Sequence, residues 1–285
     1  MDKRTVGENN KLDALKHIYK FGWLRSQELG LFLWTESDSH KKNAEALVRK
    51  LVDQKLVISR KLPQNSGTAL FLSKQGADSL LELGIVANSG KSFGRIEDGV
   101  WLPPQNWKHH LLSSGALGHL VREGYGVISE SELRRKYDLK KYPDGIFYMD
   151  YETVGEDDVI VEQRSETFWL EVESHRKTGP NMEFMVDSAL RSLLENNPFN
   201  NSNQLFGRSI NRVAIAYSNS SSDENGNKID HELRVTNAFR KKVNRDLPIN
   251  FLQLKMYGLG VSGIKEKTVV IKPKSQLHIL IPTDH

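Results

Sequence analysis

The chain has 285 residues, of which 38% are hydrophobic and none is cysteine, so disulfides, thiolate metal ligands and thiol nucleophiles are excluded. Its 40 basic and 36 acidic side chains give a net charge of +4 and a pI near 9.0, which permits a polyanionic partner without requiring one. No apolar run approaches the roughly 18 residues that a membrane span needs. The first residues lack an apolar signal region, so we expect a cytoplasmic protein.

Residues 1–88 have the pattern of a winged helix-turn-helix domain. Residues 1–10 are polar and are expected to form an arm. The predicted elements are three helices between Leu12 and Leu51, strands at residues 56–60 and 69–72, and a fourth helix that begins after Ser73. A β-hairpin placed between the third and fourth helices is the feature that gives such domains their wing.

The predicted third helix and the hairpin are rich in basic residues. These are Lys41, Lys42, Arg49 and Lys50 on the helix, and Arg60 and Lys61 on the hairpin. In winged domains the third helix enters the major groove while the wing touches phosphate, so we expect these side chains to contact double-stranded DNA. The alternative is an ordinary solvated face on a domain that mediates dimer or protein contacts.

Residues 89–106 are rich in glycine, serine and proline, and they are predicted to link the winged domain to a second domain at residues 107–285. The second domain opens with an apolar helix that contains His109, His110 and His119. Their spacing does not match a helical metal pair at i and i+4. Neutral histidines packed beneath a site are therefore favoured over metal ligands.

Three acidic residues lie on two predicted strands of the second domain. Asp144 begins one strand, and Glu171 and Glu173 share a face of the next because side chains alternate along a strand. If the strands pair as a hairpin, Asp144 lies beside the other two. Three ionised carboxylates held together require a compensating cation, and a hard divalent metal with oxygen ligands provides it. The alternative is a solvated hairpin face, where acids are common.

The remaining segments alternate between strand and helix patterns. They are a strand at residues 125–128, a helix capped by Ser129 or Ser131, helices at 180–195 and 230–244, and strands at 212–217, 249–254, 268–271 and 278–281. This alternation predicts an α/β (α+β) class, with a mixed sheet flanked by helices.

Pro143-Asp144, a spacer, and Leu170-Glu171-Val172-Glu173 followed by Arg176-Lys177 resemble the core of the PD-(D/E)XK nucleases. With the winged start, His109-His110 and Tyr142-Pro143-Asp144-Gly145, the chain is more closely similar to the replication-relaxation proteins and the nuclease-like MOBC-class relaxases of mobilisable elements. The resemblance covers residues 12–195. One departure concerns Glu173, which stands where most of these nucleases have lysine; Lys177 could supply an ammonium group from farther along.

The resemblance implies a restriction-endonuclease-like second domain that nicks DNA at a plasmid or mobile-element origin of transfer. In that implied site Asp144 and Glu171 hold Mg²⁺ or Mn²⁺, Glu173 is a ligand or general base, and Lys177 neutralises charge on the phosphate. Members of the superfamily place an acidic helix residue near the metal, which indicates Glu132. A helix-capping role explains Glu132 equally well.

The resemblance leaves two further questions open. A relaxase variant uses a tyrosine hydroxyl, for which Tyr142, Tyr148 and Tyr151 are the nearby candidates. Other transfer or replication proteins and a second copy of the chain are the implied protein partners. The alternative function is a non-catalytic DNA-binding regulator, or a replication-initiation accessory protein, that keeps a nuclease-like scaffold. The glutamate in place of the usual lysine favours that alternative.

Overall fold

The computed structural model describes residues 2–154, 160–174, 179–195, 205–219, 222, 226–246, 252–260 and 263–271. The chain divides into two compact units, Met1–Ser165 and Glu166–His285. Within the described residues lie eight α-helices, a six-stranded mixed sheet and two small two-stranded sheets. This architecture confirms the predicted α+β class. The division between the units lies well downstream of the linker predicted at residues 89–106.

The first unit begins with three helices, a β-hairpin and a fourth helix, in the order predicted for a winged helix-turn-helix domain. They are α1 (Lys3–Phe21), α2 (Ser26–Leu33), α3 (His40–Asp53), β1 (Val57–Lys61), β2 (Thr68–Leu72) and α4 (Lys74–Leu81). Helix α1 begins at Lys3, so the expectation of a polar arm at residues 1–10 is wrong. Burial of Ala14, Leu15 and Ile18 fixes the later turns of the helix. Each residue added to a fixed helix gains a backbone hydrogen bond, which extends the helix through its exposed first turns.

Residues 89–106 are structured, although the sequence predicts a linker there. A short 3₁₀ turn (Gly90–Ser92) is followed by a hairpin of β3 (Arg95–Glu97) and β4 (Val100–Leu102). Asp98 and Gly99 form its turn, with φ angles of 49° and 76°. A two-residue turn with both φ angles positive matches the twist of a hairpin, and Asp-Gly suits it.

Aromatic residues hold this hairpin segment against the winged domain. Phe93 and Trp101 pack on a buried cluster that contains Trp23 and Phe71. The indole nitrogen of Trp101 donates a hydrogen bond to the carbonyl of Phe93 at 2.8 Å. The segment is therefore part of the first unit's core and not a free connection.

The rest of the first unit comprises α5 (Trp107–Arg122), β5 (Gly126–Ser129), α6 (Glu130–Lys136) and β6 (Gly145–Val154). Helix α5 packs on α2 so closely that a Cβ atom on Gly118 would lie 2.9 Å from the Leu31 side chain. Strands β5 and β6 pair antiparallel, with Ser129 opposite Gly145. This pairing brings the start of α6 beside the start of β6.

The second unit is built on strand β7 (Ile160–Glu173), which enters it at Glu166. The elements that follow are α7 (Gly179–Glu195), β8 (Arg212–Ser218), α8 (His231–Asp246), β9 (Leu252–Gly260) and β10 (Gly263–Ile271). The strands of the large sheet follow the order β10-β9-β8-β7-β6-β5. Strands β7, β8 and β9 are parallel, whereas β10 is antiparallel to β9.

Strand β7 is buried on both faces between residues 168 and 173. Such burial is typical of strands in parallel sheets. The last predicted strand, at residues 278–281, lies outside the described residues. Among the described helices, none combines the length and the apolar character needed to cross a bilayer.

Candidate functional site

Four of the predicted DNA-contacting side chains are exposed on helix α3. Ala44 and Leu51 of this helix are completely buried. The exposed side chains are Lys41, Lys42, Arg49 and Lys50. The helix therefore has one face in the core and positive charges on the solvent side.

The two basic residues of the first hairpin have different surroundings. Lys61 is exposed, whereas Arg60 is half-buried. The Arg60 guanidinium donates a hydrogen bond to the Lys91 carbonyl at 3.1 Å and lies 5.5 Å from the ring centroid of Trp101. Arg60 thus helps to fasten the second hairpin, and Lys61 is the wing cation presented to solvent.

Asp144 is brought together with His109 in the first unit. The Nε2 atom of His109 lies 2.7 Å from Oδ1 of Asp144, and the two side chains are only 23% and 12% exposed. His109 belongs to the first turn of α5, whereas Asp144 immediately precedes β6. The sequence does not predict this pair, because its members lie 35 residues apart and neither carries a local signal for the other.

The His109–Asp144 pair faces a small polar pocket of about 30 Å³, which has room for one or two water molecules. Its polar lining includes His109, Ser113, Ser129, Glu130, Ser131 and Asp144. Helix α5, the start of α6 and the start of β6 supply these groups. These groups comprise two carboxylates, an imidazole and three hydroxyls, so the pocket can bind a water molecule or a small polar group.

His110 has a structural role that matches the sequence expectation. Its Nε2 atom donates a hydrogen bond to the Trp23 carbonyl at 2.9 Å, and its ring stacks on the Trp23 ring at a centroid distance of 4.3 Å. Desolvation lowers the pKa of His110 from 6.5 to about 4, so the ring is neutral at pH 7. Burial also lowers the pKa of His119.

Glu132 closes a capping box at the N-terminus of α6. Its Oε2 atom accepts a hydrogen bond from the Ser129 backbone nitrogen at 3.0 Å, while the Ser129 hydroxyl accepts one from the Glu132 nitrogen. Its Oε1 atom lies 3.8 Å from the Lys20 ammonium. The capping alternative is therefore the role that Glu132 has in the structure. The α6 acid that lines the pocket is Glu130.

Glu171 and Glu173 share a face of β7 in the second unit and are 1% and 0% exposed. The alternative of a solvated hairpin face is therefore wrong for these two acids. The indole nitrogen of Trp169, on the same face, donates a hydrogen bond to Oε1 of Glu171 at 2.7 Å. Two buried carboxylates on one face are costly unless a cation, hydrogen bonds or a shared proton compensates them.

The resemblance implies a divalent metal, and the donor chemistry of these acids fits one because Mg²⁺ and Mn²⁺ favour carboxylate oxygens. Across the residues that the structure describes, no group of three or more histidine, aspartate or glutamate side chains converges as a metal site. Lys177 lies outside the described residues.

The three candidate tyrosines differ in their surroundings. The Tyr142 hydroxyl donates to the Tyr137 carbonyl at 2.6 Å and accepts from the Leu139 nitrogen at 3.1 Å, so it stabilises the loop before Asp144. Tyr148 packs tightly over Gly126, where an added Cβ atom would lie 2.2 Å from its ring. Tyr151 is 41% exposed. Tyr151 is thus the most accessible of the three.

Comparisons of the chain with protein-family models, with curated proteins and with solved structures find no match.

Proposed function

We propose that this protein binds double-stranded DNA and nicks it in a divalent-metal-dependent reaction, as a mobilisation relaxase acting at an origin-like site. The observation that carries the proposal is the burial of Glu171 and Glu173 on one face of a central strand. Acids in such a position are rarely retained for packing alone, because apolar residues of similar size avoid the cost of desolvation. A cation-binding role explains why this face is not apolar.

In this proposal the winged domain supplies the affinity for DNA. The exposed side chains of Lys41, Lys42, Arg49 and Lys50 contact the major groove and its phosphates, and Lys61 contacts phosphate from the wing. These contacts are electrostatic, so binding weakens steeply as salt is raised.

The carboxylates of Glu171 and Glu173, which share a buried face of β7, are the groups that would hold Mg²⁺ or Mn²⁺. The metal, when bound, orients the scissile phosphate and activates water for attack on it. His109 orients the Asp144 carboxylate through their 2.7 Å contact. Glu173 is a ligand or the general base, and Lys177 supplies the positive charge that the usual motif lysine provides in similar nucleases.

A non-catalytic DNA-binding regulator is the second candidate function. It is favoured by the hydrogen bond from Trp169 to Glu171, which gives one carboxylate oxygen a structural partner. In that case the acids stabilise the sheet through hydrogen bonds, and the winged domain alone carries the activity.

Incubation with supercoiled plasmid, in the presence and absence of Mn²⁺, separates the two functions. We expect the wild type to produce relaxed circles only with the metal. Asp144→Asn and Glu171→Gln remove a charge with little change in shape, and each should lower the rate at least tenfold, a barrier increase of about 1.4 kcal/mol. Asp78→Asn, which alters an exposed acid on α4 away from these sites, is the matched control.

Calorimetric titration with Mn²⁺ provides an independent reading of the same variants. Binding should weaken strongly in Glu171→Gln while its circular dichroism spectrum is unchanged. Intact plasmid with every metal and DNA substrate tested would favour the regulator, and unchanged Mn²⁺ affinity in Glu171→Gln would remove Glu171 from the site.

A further inference from the structure

Residues 134–142, which we term the basic segment, carry a concentrated positive charge. The segment contains Arg134, Arg135, Lys136, Lys140 and Lys141 together with the acidic Asp138, so its charge is +4. The whole chain also has a net charge of +4, and the other residues therefore sum to zero. The net charge of the whole chain therefore does not reveal that the positive charge is concentrated in this segment. Like charges placed so closely repel one another unless an anion binds them.

Tyrosine rings order the cations of the basic segment. The guanidinium of Arg134 lies 4.4 Å from the ring centroid of Tyr142, and that of Arg135 lies 4.2 Å from the ring centroid of Tyr19. The ammonium of Lys136 lies 5.6 Å from the ring centroid of Tyr137. Side chains held in this way lose less conformational entropy when they bind a ligand.

Polar contacts fix the same side chains further. Arg135 donates a hydrogen bond to the Lys20 carbonyl at 3.1 Å. Arg134 pairs with Glu130, one turn earlier on α6, with 2.6 Å between the closest atoms. Arg134, Arg135, Lys136 and Lys140 nevertheless remain exposed to solvent. The basic segment is thus an ordered and accessible cationic surface.

The basic segment leads directly to the pocket that contains Asp144. It begins on α6, whose first residues Glu130 and Ser131 line that pocket, and it ends immediately before Pro143 and Asp144. A polyanion bound along the segment would therefore pass beside the pocket. This continuity distinguishes the basic segment from an isolated solvated patch.

From this arrangement we infer that the basic segment binds the phosphate backbone of a DNA strand and holds it beside the Asp144 pocket. The inference rests on the proposed function, in which Asp144 acts on DNA. Tyr137 and Tyr142 are partly buried and each has a cation over its ring, so the segment presents mainly positive charge to a ligand. Phosphate contacts carry no sequence information, and binding here is independent of base sequence.

The test compares full-length variants in which two exposed basic side chains are replaced by glutamine. The first variant alters the basic segment and carries Lys136→Gln and Lys140→Gln. The second alters α3 and carries Lys41→Gln and Lys42→Gln. The third is a control in the second unit, with the same change in charge, and carries Arg240→Gln and Lys265→Gln. Each protein is titrated with a fluorescent duplex of mixed sequence over a series of salt concentrations. We expect the salt slope to fall by about 0.9 for each phosphate that the altered basic segment no longer neutralises. The control should keep the wild-type slope.

The outcomes separate this inference from the proposed function. A basic-segment variant whose slope and affinity equal those of the control overturns the inference, whatever the α3 variant does. Weaker binding confined to the basic-segment variant supports the inference and removes α3 from the DNA interface. Wild-type protein that binds DNA through the basic segment but never nicks plasmid preserves the inference and refutes the nicking activity. Wild-type protein that binds no DNA at low salt overturns both.

Discussion

Adjacent histidines of α5 show how one residue step separates a structural side chain from a candidate site residue. Successive side chains on a helix point about 100° apart, so His109 and His110 cannot share surroundings. His110 turns to the Trp23 carbonyl, whereas His109 turns to Asp144. The two histidines look alike in the sequence because their partners are distant: Trp23 is 87 residues from His110, and Asp144 is 35 residues from His109. Long-range partners decide the role here, and spacing on the helix does not.

His17 and His110 should make the stability of the fold depend on pH. Desolvation lowers the pKa of each from 6.5 to about 4. Between these values the unfolded chain binds more protons than the folded one, so the free energy of unfolding falls as the pH drops from 6.5 to 4. Each ring contributes up to about 1.4 kcal/mol per pH unit in that window.

Urea unfolding at a series of pH values measures this effect. Phenylalanine at position 17 can keep the packing of the ring against Phe32. His17→Phe should therefore reduce the change in unfolding free energy per pH unit, between pH 4 and 6.5, by the contribution of one histidine. Stability that is flat from pH 6.5 to 4 in the wild type would show that neither ring is held neutral by the fold.

Short elements illustrate what local sequence can and cannot predict. The capping box of α6 is visible in Ser129 and Glu132, three residues apart, because both partners are local. The Asp98-Gly99 turn is also a local signal for a hairpin. It is not recognised as one because the nearby glycine and serine residues are equally typical of a linker. What identifies residues 89–106 as folded is the packing of Phe93 and Trp101 on Trp23 and Phe71. That packing joins segments far apart in the sequence, which no local pattern reveals.

Substitution of Glu132 tests the capping role against metal binding. Glutamine also serves in a capping box, so Glu132→Gln should leave both the free energy of unfolding and the Mn²⁺ affinity nearly unchanged. Glu132→Ala removes the cap and should cost about 1 kcal/mol in urea unfolding. Weaker Mn²⁺ binding by Glu132→Gln, with stability preserved, would instead assign the carboxylate to the metal.

At the scale of the whole molecule, the winged domain does not end where its helix and hairpin pattern ends. The compact unit extends to Ser165. Trp107 and Leu111 of α5 pack on the cluster of Trp23 and Phe71. The sequence predicts each winged element and the mixed α/β class, but the extent of the unit depends on which apolar faces cover one another.

A fragment that stops at residue 88 should therefore be much less stable than one that spans residues 1–165. It lacks Phe93, Trp101, Trp107 and Leu111, all of which are partly buried against its aromatic cluster. Full burial of such a side chain contributes about 1.5–3 kcal/mol, so partial burial of four should contribute at least about 3 kcal/mol in total. Urea unfolding followed by circular dichroism measures the difference, since both fragments keep helices α1 to α4.

Equal free energies of unfolding would show that the covering segment adds nothing. With the expected destabilisation, weak DNA binding by the shorter fragment would reflect unfolding and would not bear on α3. Tests of the proposed DNA binding by α3 therefore require the full chain, in which the aromatic cluster is covered.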